Sequence, residues 1–414
     1  MKIAIVGAGV SGLTIAHLLH ADHELTVFEA GDYAGGHTNT IRVDTADQTQ
    51  FLDTGFIVFN DRNYPNFERL MRRLGVASQP SEMSFSVSDG SGEFEYSSRS
   101  LNALFADRRH LVSSSFQRMV AEVPRFQRAA RALLRSADER VSLREWLAEL
   151  RFSEPFIERL IVPQASAVWS ADPRQMWSFP ALFLARFFDN HGMLGLRGRP
   201  QWRTISGGSA RYVDALTAGF GDRIRLRTAV RSVARFDDHV MVATYSGEPE
   251  RFDQVVLATH SDQALALLSD ASEHERQVLG AIPYQPNEAV LHTDRQLLPQ
   301  RERAWASWNY HLLEEQRGRS TVTYHLNRLQ SLDSDQQYCV TLNLTDRIDP
   351  DKVLRRIEYA HPVYTPEGMR AQQRVGEISG QRGTHFAGAY WGWGFHEDGV
   401  NSALRVAEAF GAAL

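Results

Sequence analysis

Three glycines near the N-terminus carry the clearest chemistry in the chain. Gly7, Gly9 and Gly12 fit the pattern G-x-G-x-x-G. They directly follow the apolar run Ile3 to Val6 and open a segment of helical character from Leu13 to His20. Gly7 permits a tight turn, Gly9 lets the backbone approach a diphosphate, and Gly12 lets helix and strand pack closely. The free N–H groups at the helix start, around Val10 and Ser11, would then stabilise phosphate charge. Glu29 closes a second apolar run, Leu25 to Phe28, where a carboxylate accepts hydrogen bonds from an adenosine ribose. Strand, glycine loop, helix, strand and terminal acid together predict a dinucleotide site.

Other reactive side chains are sparse. Lys2 and Lys352 are the only lysines, so few groups can serve as an amine base or Schiff-base former. Cys339 is the only cysteine, which excludes an internal disulfide and argues against a Cys-based zinc or iron–sulfur site. The histidines show no H-E-x-x-H pattern, and no metal is expected. Tyr390, Trp391 and Trp393 form an aromatic cluster that suits a cation by cation–π attraction or an apolar pocket.

The elements that must position these groups follow from composition and periodicity. The chain has 414 residues, 43% hydrophobic and 23% charged, which predicts a globular protein of two or three domains. The formal net charge of −5 argues against a broadly basic nucleic-acid binder. Neither a signal peptide nor a spanning segment is visible, and a soluble, cytoplasmic protein is expected. Helical spacing dominates from about residue 60 to 199, with a capping box at Ser142 to Glu145 opening a helix through Leu150. Strand character returns at 224–226, 230–236, 240–245 and 255–258, and again from 288 to 344. The phenylalanine- and leucine-rich stretch Trp177 to Leu194 reads as a buried helix, a tunnel wall or a membrane-facing portal.

Beyond Glu29, the run Glu29-Ala30-Gly31-Asp32-Tyr33-Ala34-Gly35-Gly36-His37 resembles the extended fingerprint of flavoproteins with two dinucleotide-type units, with His37 where that family commonly has arginine. Asp53-Thr54-Gly55-Phe56, Ile205 to Ser209, Val230 and Val255 to Thr259 match further segments of it in order. So do His385 to Ala389 and Gly394 to Val400. The chain thus resembles the FAD-dependent amine oxidase, phytoene desaturase and protoporphyrinogen oxidase superfamily. Within it, the chain is similar to a bacterial branch encoded beside cyclopropane-fatty-acyl-phospholipid-synthase-like methyltransferases.

The resemblance implies an α/β fold, with a Rossmann-like FAD domain (1–60, 200–265 and 380–414) and an α+β substrate domain (61–199 and 266–379). It implies non-covalent FAD held by Gly7, Gly9, Val10, Ser11, Gly12, Glu29, Ala30, Gly36, His37, Gly55, Phe56, Val230, Gly388, Phe395, His396 and Val400. Asn60, Tyr64, Trp391 and Trp393 are expected to face substrate, with Tyr390 and His396 as acid–base candidates. The expected activity is hydride transfer from an apolar, acyl or lipid substrate to flavin N5. Amine oxidation and a non-catalytic, flavin-holding accessory role remain as alternatives. Peripheral membrane contact and a lipid-modifying enzyme partner are further expectations.

Overall fold

The computed structural model describes residues 1–45, 48–136, 140–169, 172, 174–195, 198–315 and 317–414. A five-stranded parallel sheet organises the cofactor-binding unit. Its order is Ile224–Arg225, Glu24–Phe28, Lys2–Val6, Gln254–Leu257 and Thr384–Phe386. Both faces are covered, which is why Ile3 to Val6 is apolar without alternation. Ile3 and Ile5 pack with helices Val10–Leu19 and His396–Ala409. Ala4 and Val6 pack against an antiparallel layer built from Val230–Arg235, Val240–Thr244 and Glu250–Phe252.

The connection pattern places a crevice beyond the central strand. The chain leaves Lys2–Val6 to one side for Glu24–Phe28, while Gln254–Leu257 lies on the other. Such a switch point in an open parallel sheet is where ligands bind, outside the carboxyl ends of the strands. The C-terminal strand and helix complete this unit: Thr384–Phe386 pairs with Val255 to Leu257, and His396–Ala409 lies along Val10–Leu19.

Helix Pro65–Leu74 joins the same core. Sequence reading places it in the second domain, but its apolar side (Phe67, Leu70 and Met71) is buried with Val400, Ala403 and Tyr212. Helices Ser261–Leu267 and Glu273–Leu279 likewise close over the antiparallel layer through Ala264, Val278 and Leu279. Charge fastens this corner. Arg235, with no exposed side-chain surface, donates to Asp270 Oδ1 at 2.9 Å and to Glu275 Oε2 at 2.9 Å.

The second unit joins a seven-stranded sheet to a helical layer. The strand order is Val353–Pro362, Tyr284–His292, Cys339–Leu342, Val322–His325, Trp308–His311, Phe85–Ser88 and Glu95–Ser97. All neighbours are antiparallel except Trp308–His311 with Phe85–Ser88. Helices Ser114–Ser136, Leu143–Glu149, Val162–Trp169 and Ala181–Asn190 supply one aromatic-rich core. The capping box forms as the sequence predicts: Ser142 N–H donates to Glu145 Oε2 at 3.0 Å, and Glu145 N–H donates to Ser142 Oγ at 3.3 Å. The helix ends at Glu149, one residue short of the expected Leu150. No described helix is long and apolar enough to cross a membrane.

Glu275→Ala leaves the buried Arg235 guanidinium short of a counter-charge. It is expected to lower stability by about 3 kcal/mol, measured as the free energy of denaturant unfolding against wild type.

Candidate active site

The glycine loop is held by contacts too close for side chains. Gly7 has φ +104°, and a Cβ there would lie 2.7 Å from the Ala258 carbonyl oxygen. A Cβ on Gly12 would lie 2.0 Å from the Gly7 carbonyl oxygen. Gly9 differs: a Cβ there meets nothing within 4 Å. Its freedom from neighbours leaves open the space a diphosphate would enter. The second glycine pair closes the far side, with Gly35 N–H donating to Ala8 O at 2.8 Å and the Gly36 Cβ position 3.2 Å from Gly9 Cα.

The helix start beside this loop is free for an anion. Val10–Leu19 has no side-chain cap and no acid in its first turn. Its terminal N–H groups and dipole therefore remain available. Ser11 contributes only backbone there, because its Oγ donates to Gly399 O at 3.0 Å and ties the first helix to the last. Glu29 is oriented by two backbone donors: Ala8 N–H reaches Oε2 and Gly31 N–H reaches Oε1, both at 2.8 Å. Each oxygen keeps acceptor capacity for a ribose hydroxyl.

From this cradle a single cavity of about 1430 Å³ runs into the helical layer. Gly7, Gly9, Val10, Glu29, Ala30, Gly36, His37 and Val230 are among its lining residues on the cradle side. Gly55, Phe56, Gly388, Tyr390 and Phe395 follow. The helical limb is walled by Met119, Val123, Phe126, Phe156, Ile161 and Phe188. Of these residues only Phe188 falls in a stretch that the sequence offers as a tunnel wall, Trp177 to Leu194; the others sit at ordinary core spacing on their helices. The loop after strand Thr49–Asp53 is built on Asp53, whose carboxyl accepts from Ser209 N–H (2.9 Å), Ser209 Oγ (2.7 Å) and Thr40 Oγ1. Burial pushes that carboxyl up to about 6.

Several expected contacts are corrected. Gly12 and Val400 do not reach the cavity; the first serves strand–helix packing and the second is fully buried in the helix core. Asn60 is buried too, and its Oδ1 accepts from the N–H groups of Arg62 (3.0 Å) and Asn63 (2.8 Å), so it holds a turn. Trp391 packs into the core beside the antiparallel layer, away from the cavity. Tyr64 and Trp393 do line the cavity, Trp393 stacked on Phe183 at 4.1 Å.

Neither acid–base candidate is poised to move a proton. The His396 imidazole stacks on Phe56 at 3.5 Å, and its Nε2 contacts Thr38 Oγ1 (2.9 Å) and Tyr212 OH (3.1 Å). Enclosure holds its pKa down at about 3, so the ring is neutral and already hydrogen-bonded. Burial raises the Tyr390 phenol well above its ordinary value, and its ring covers Gly388. The role left to His396 in the cavity is its backbone, at the start of helix His396–Ala409. Lys352 is bound to Asp294 and Asp349, each at 3.3 Å, and does not line the cavity.

Histidines gather where sequence reading placed only His37. His260 and His361 lie 6.4 Å and 5.4 Å from the His37 ring, and His37 stacks on Tyr359 at 4.8 Å. His260 follows the Val255 to Thr259 segment directly, so its place was readable; His361 gave no such sign. His361 Nδ1 accepts from Asn287 Nδ2 at 2.9 Å, and Asn343 Nδ2 donates to Asn287 Oδ1, which fixes the amide orientation. His361 is therefore a neutral ring with its proton on Nε2. No lysine lines the cavity, and the one arginine among the described lining residues, Arg199, follows helix Ala181–Asn190 beside Gly192. The diphosphate of a dinucleotide would thus meet imidazoles in place of a permanent cation.

Comparison with known proteins agrees with this geometry. The sequence profile of flavin-containing amine oxidoreductases matches residues 10–323. A Mycobacterium tuberculosis protein, AofH, described provisionally as a flavin-containing monoamine oxidase, is 27% identical over 266 residues. That match covers 60% of this chain and 55% of AofH, so the chain spans about half the length of this curated relative. Among solved structures, a putrescine oxidase mutant superposes with TM-score 0.70 at 15% identity, covering 99% of this chain and 98% of that one. Cyclohexylamine oxidase from Brevibacterium oxydans gives 0.69 at 17%, covering 99% of each. A fatty acid isomerase from P. acnes gives 0.67 at 18%, covering 99% and 98%.

Two outcomes follow for cofactor binding. Gly9→Val fills the open space at the cradle, and the purified variant is expected to lose the yellow FAD complement that wild type releases on denaturation. The second concerns pH. Burial lowers the His37 and His260 pKa values in the free cavity; the neighbouring imidazoles add to this at His37, and Asp262 opposes it at His260. The groups facing them are His361, His396, Tyr359, Tyr284 and Asp262. A bound diphosphate raises these pKa values, so binding takes up protons and affinity falls as pH rises through the bound-state values. The FAD dissociation constant should climb by up to about tenfold per pH unit for each proton taken up, read by calorimetric titration in buffers of different ionisation enthalpy. The glycine cradle, the uncapped helix and the profile match agree: the chain belongs to the flavin-containing amine oxidoreductase family.

Proposed function

We propose that the protein oxidises an apolar, acyl-type substrate with FAD as its electron acceptor. The carrying observation is the chemistry of the cavity walls. Glu29 is the only carboxylate among the described lining residues, and two backbone N–H groups hold it at the adenosine end. A protonated amine in the helical limb would have no counter-charge, and burying an unpaired ion costs several kcal/mol. An alkyl chain meets the opposite conditions there. Each buried methylene contributes about 0.8 kcal/mol.

FAD, when bound, supplies the two-electron redox chemistry. The residues of the chain bind, align and shield. Met119, Val123, Phe126, Phe156 and Phe188 take up the chain and exclude water. Gln127 is directed by its own contact, Nε2 donating to Met193 O at 3.3 Å, and leaves its amide oxygen as an acceptor in the limb. Trp393, Phe395 and Tyr364 add aromatic surface to the cavity wall.

The same aromatic surfaces support a second reading, because Trp and Tyr faces attract cations. The fold does not choose between the two, since it is shared by amine oxidases and by a fatty acid isomerase. Anaerobic mixing with fatty acyl lipids and with primary amines separates them through loss of the oxidised-flavin absorbance. Acyl lipids are expected to bleach the flavin, with the half-saturating concentration falling about fourfold per added methylene until the limb is filled. Bleaching by amines alone would replace this reading with amine oxidation. Bleaching that requires an added lipid-modifying enzyme would point to the accessory role.

A further inference from the structure

Residues 98–136 carry eight arginines (99, 108, 109, 118, 125, 128, 131 and 135) against only Asp107 and Glu122, in a chain whose net charge is −5. The helix Ser114–Ser136 sorts these residues by face. At about 100° per residue, Arg118, Arg125, Arg128 and Arg135 fall within an arc of roughly 100°. That arc lies opposite Met119, Val123, Phe126 and Ala130, which turn inward to the core or the cavity. Arg128 and Arg135 are exposed and make no ion pair among the described residues. Arg118 and Arg125 share the single acid Glu122.

Apolar side chains stand exposed just before this helix. Leu101 is 77% exposed, Leu111 53% and Val112 88%. Surface leucines scattered singly need no explanation, but three within twelve residues beside a basic face do. The same segment also borders the cavity. Ser98 and Pro124 are exposed residues that line it, with Leu104 and Val120 between surface and interior.

We propose that segment 98–136 docks this protein on an anionic lipid surface, with Leu101, Leu111 and Val112 entering the interface and the arginines facing the headgroups. Exposed apolar tips next to basic residues are the pattern by which peripheral proteins lie on membranes. A nucleic acid would use the positive charge alone and would leave the exposed leucines and valine unused. The lipid surface makes use of both, and it places the apolar cavity beside a reservoir of acyl chains. The surface is read from charge and exposure, and it stands whether or not the substrate reading does.

The test is vesicle flotation with the FAD-loaded protein. Vesicles of phosphatidylcholine containing one-third phosphatidylglycerol are compared with pure phosphatidylcholine, at low and high salt. Wild type is expected to float with the anionic vesicles at low salt, less at high salt, and not with the neutral ones. Arg128→Gln and Arg135→Gln should each weaken binding roughly fivefold. The double variant Leu111→Asp with Val112→Asp should abolish flotation while FAD content and the circular dichroism spectrum stay unchanged. Equal flotation with both vesicle types, no flotation at all, or wild-type binding by these folded variants would overturn the proposal. So would retention on duplex DNA without binding to anionic vesicles. Flavin bleaching by a detergent-solubilised acyl lipid is measured separately, so failure of docking and failure of the substrate reading are distinguishable.

Discussion

The structure depends on a contact that admits no side chain. Gly12 lies against the carbonyl of Gly7, and Gly7 lies against the carbonyl of Ala258. These approaches draw the first helix and two neighbouring strand ends together at the point where the sheet switches direction. Only with that convergence does the uncapped helix start face the open space beside Gly9. The C-terminal helix is then brought in by Ser11, whose Oγ donates to Gly399 O at 3.0 Å. The Gly35–Gly36 pair closes the other side. Everything that could hold a dinucleotide follows from this one backbone junction.

Charge is the second constraint, and it divides the molecule. Among the described residues the cavity lining carries little permanent charge: Glu29 and Arg199, with imidazoles as its other titratable cations. An anionic cofactor would meet peptide dipoles at the helix start and imidazoles beside it. A cationic substrate finds only aromatic faces. The outer face of helix Ser114–Ser136 is the reverse, with five arginines against the single acid Glu122 along the helix. A single helix, Ser114–Ser136, separates the two environments, presenting methionine, valine and phenylalanine inward and arginine outward.

What could be read from sequence reflects how local each feature is. The glycine triplet, Glu29 and the Ser142 capping box are set by neighbouring residues, and the structure forms each of them. The tunnel wall is not local. Met119, Phe156 and Phe188 come from three helices, and no spacing announces that their side chains meet around an open space. Asn60 and Trp391 lie close in sequence to cofactor segments, yet both turn into the core, because sequence proximity does not say which way a side chain points. His396 shows the same limit: its backbone sits at the expected helix start, yet its ring is turned away, between Phe56 and the hydroxyls of Thr38 and Tyr212. Helix Pro65–Leu74 was separated from the cofactor unit because only tertiary packing reveals which core its apolar stripe fills.

The central claim is that the helical limb of the cavity holds an alkyl chain beside the flavin. A crystal structure of the FAD-loaded protein grown with a straight-chain fatty acid tests it most directly. The account predicts continuous density for the chain between Met119, Phe126, Phe156 and Phe188. A limb filled by ordered water, with the fatty acid absent or bound elsewhere, would contradict it.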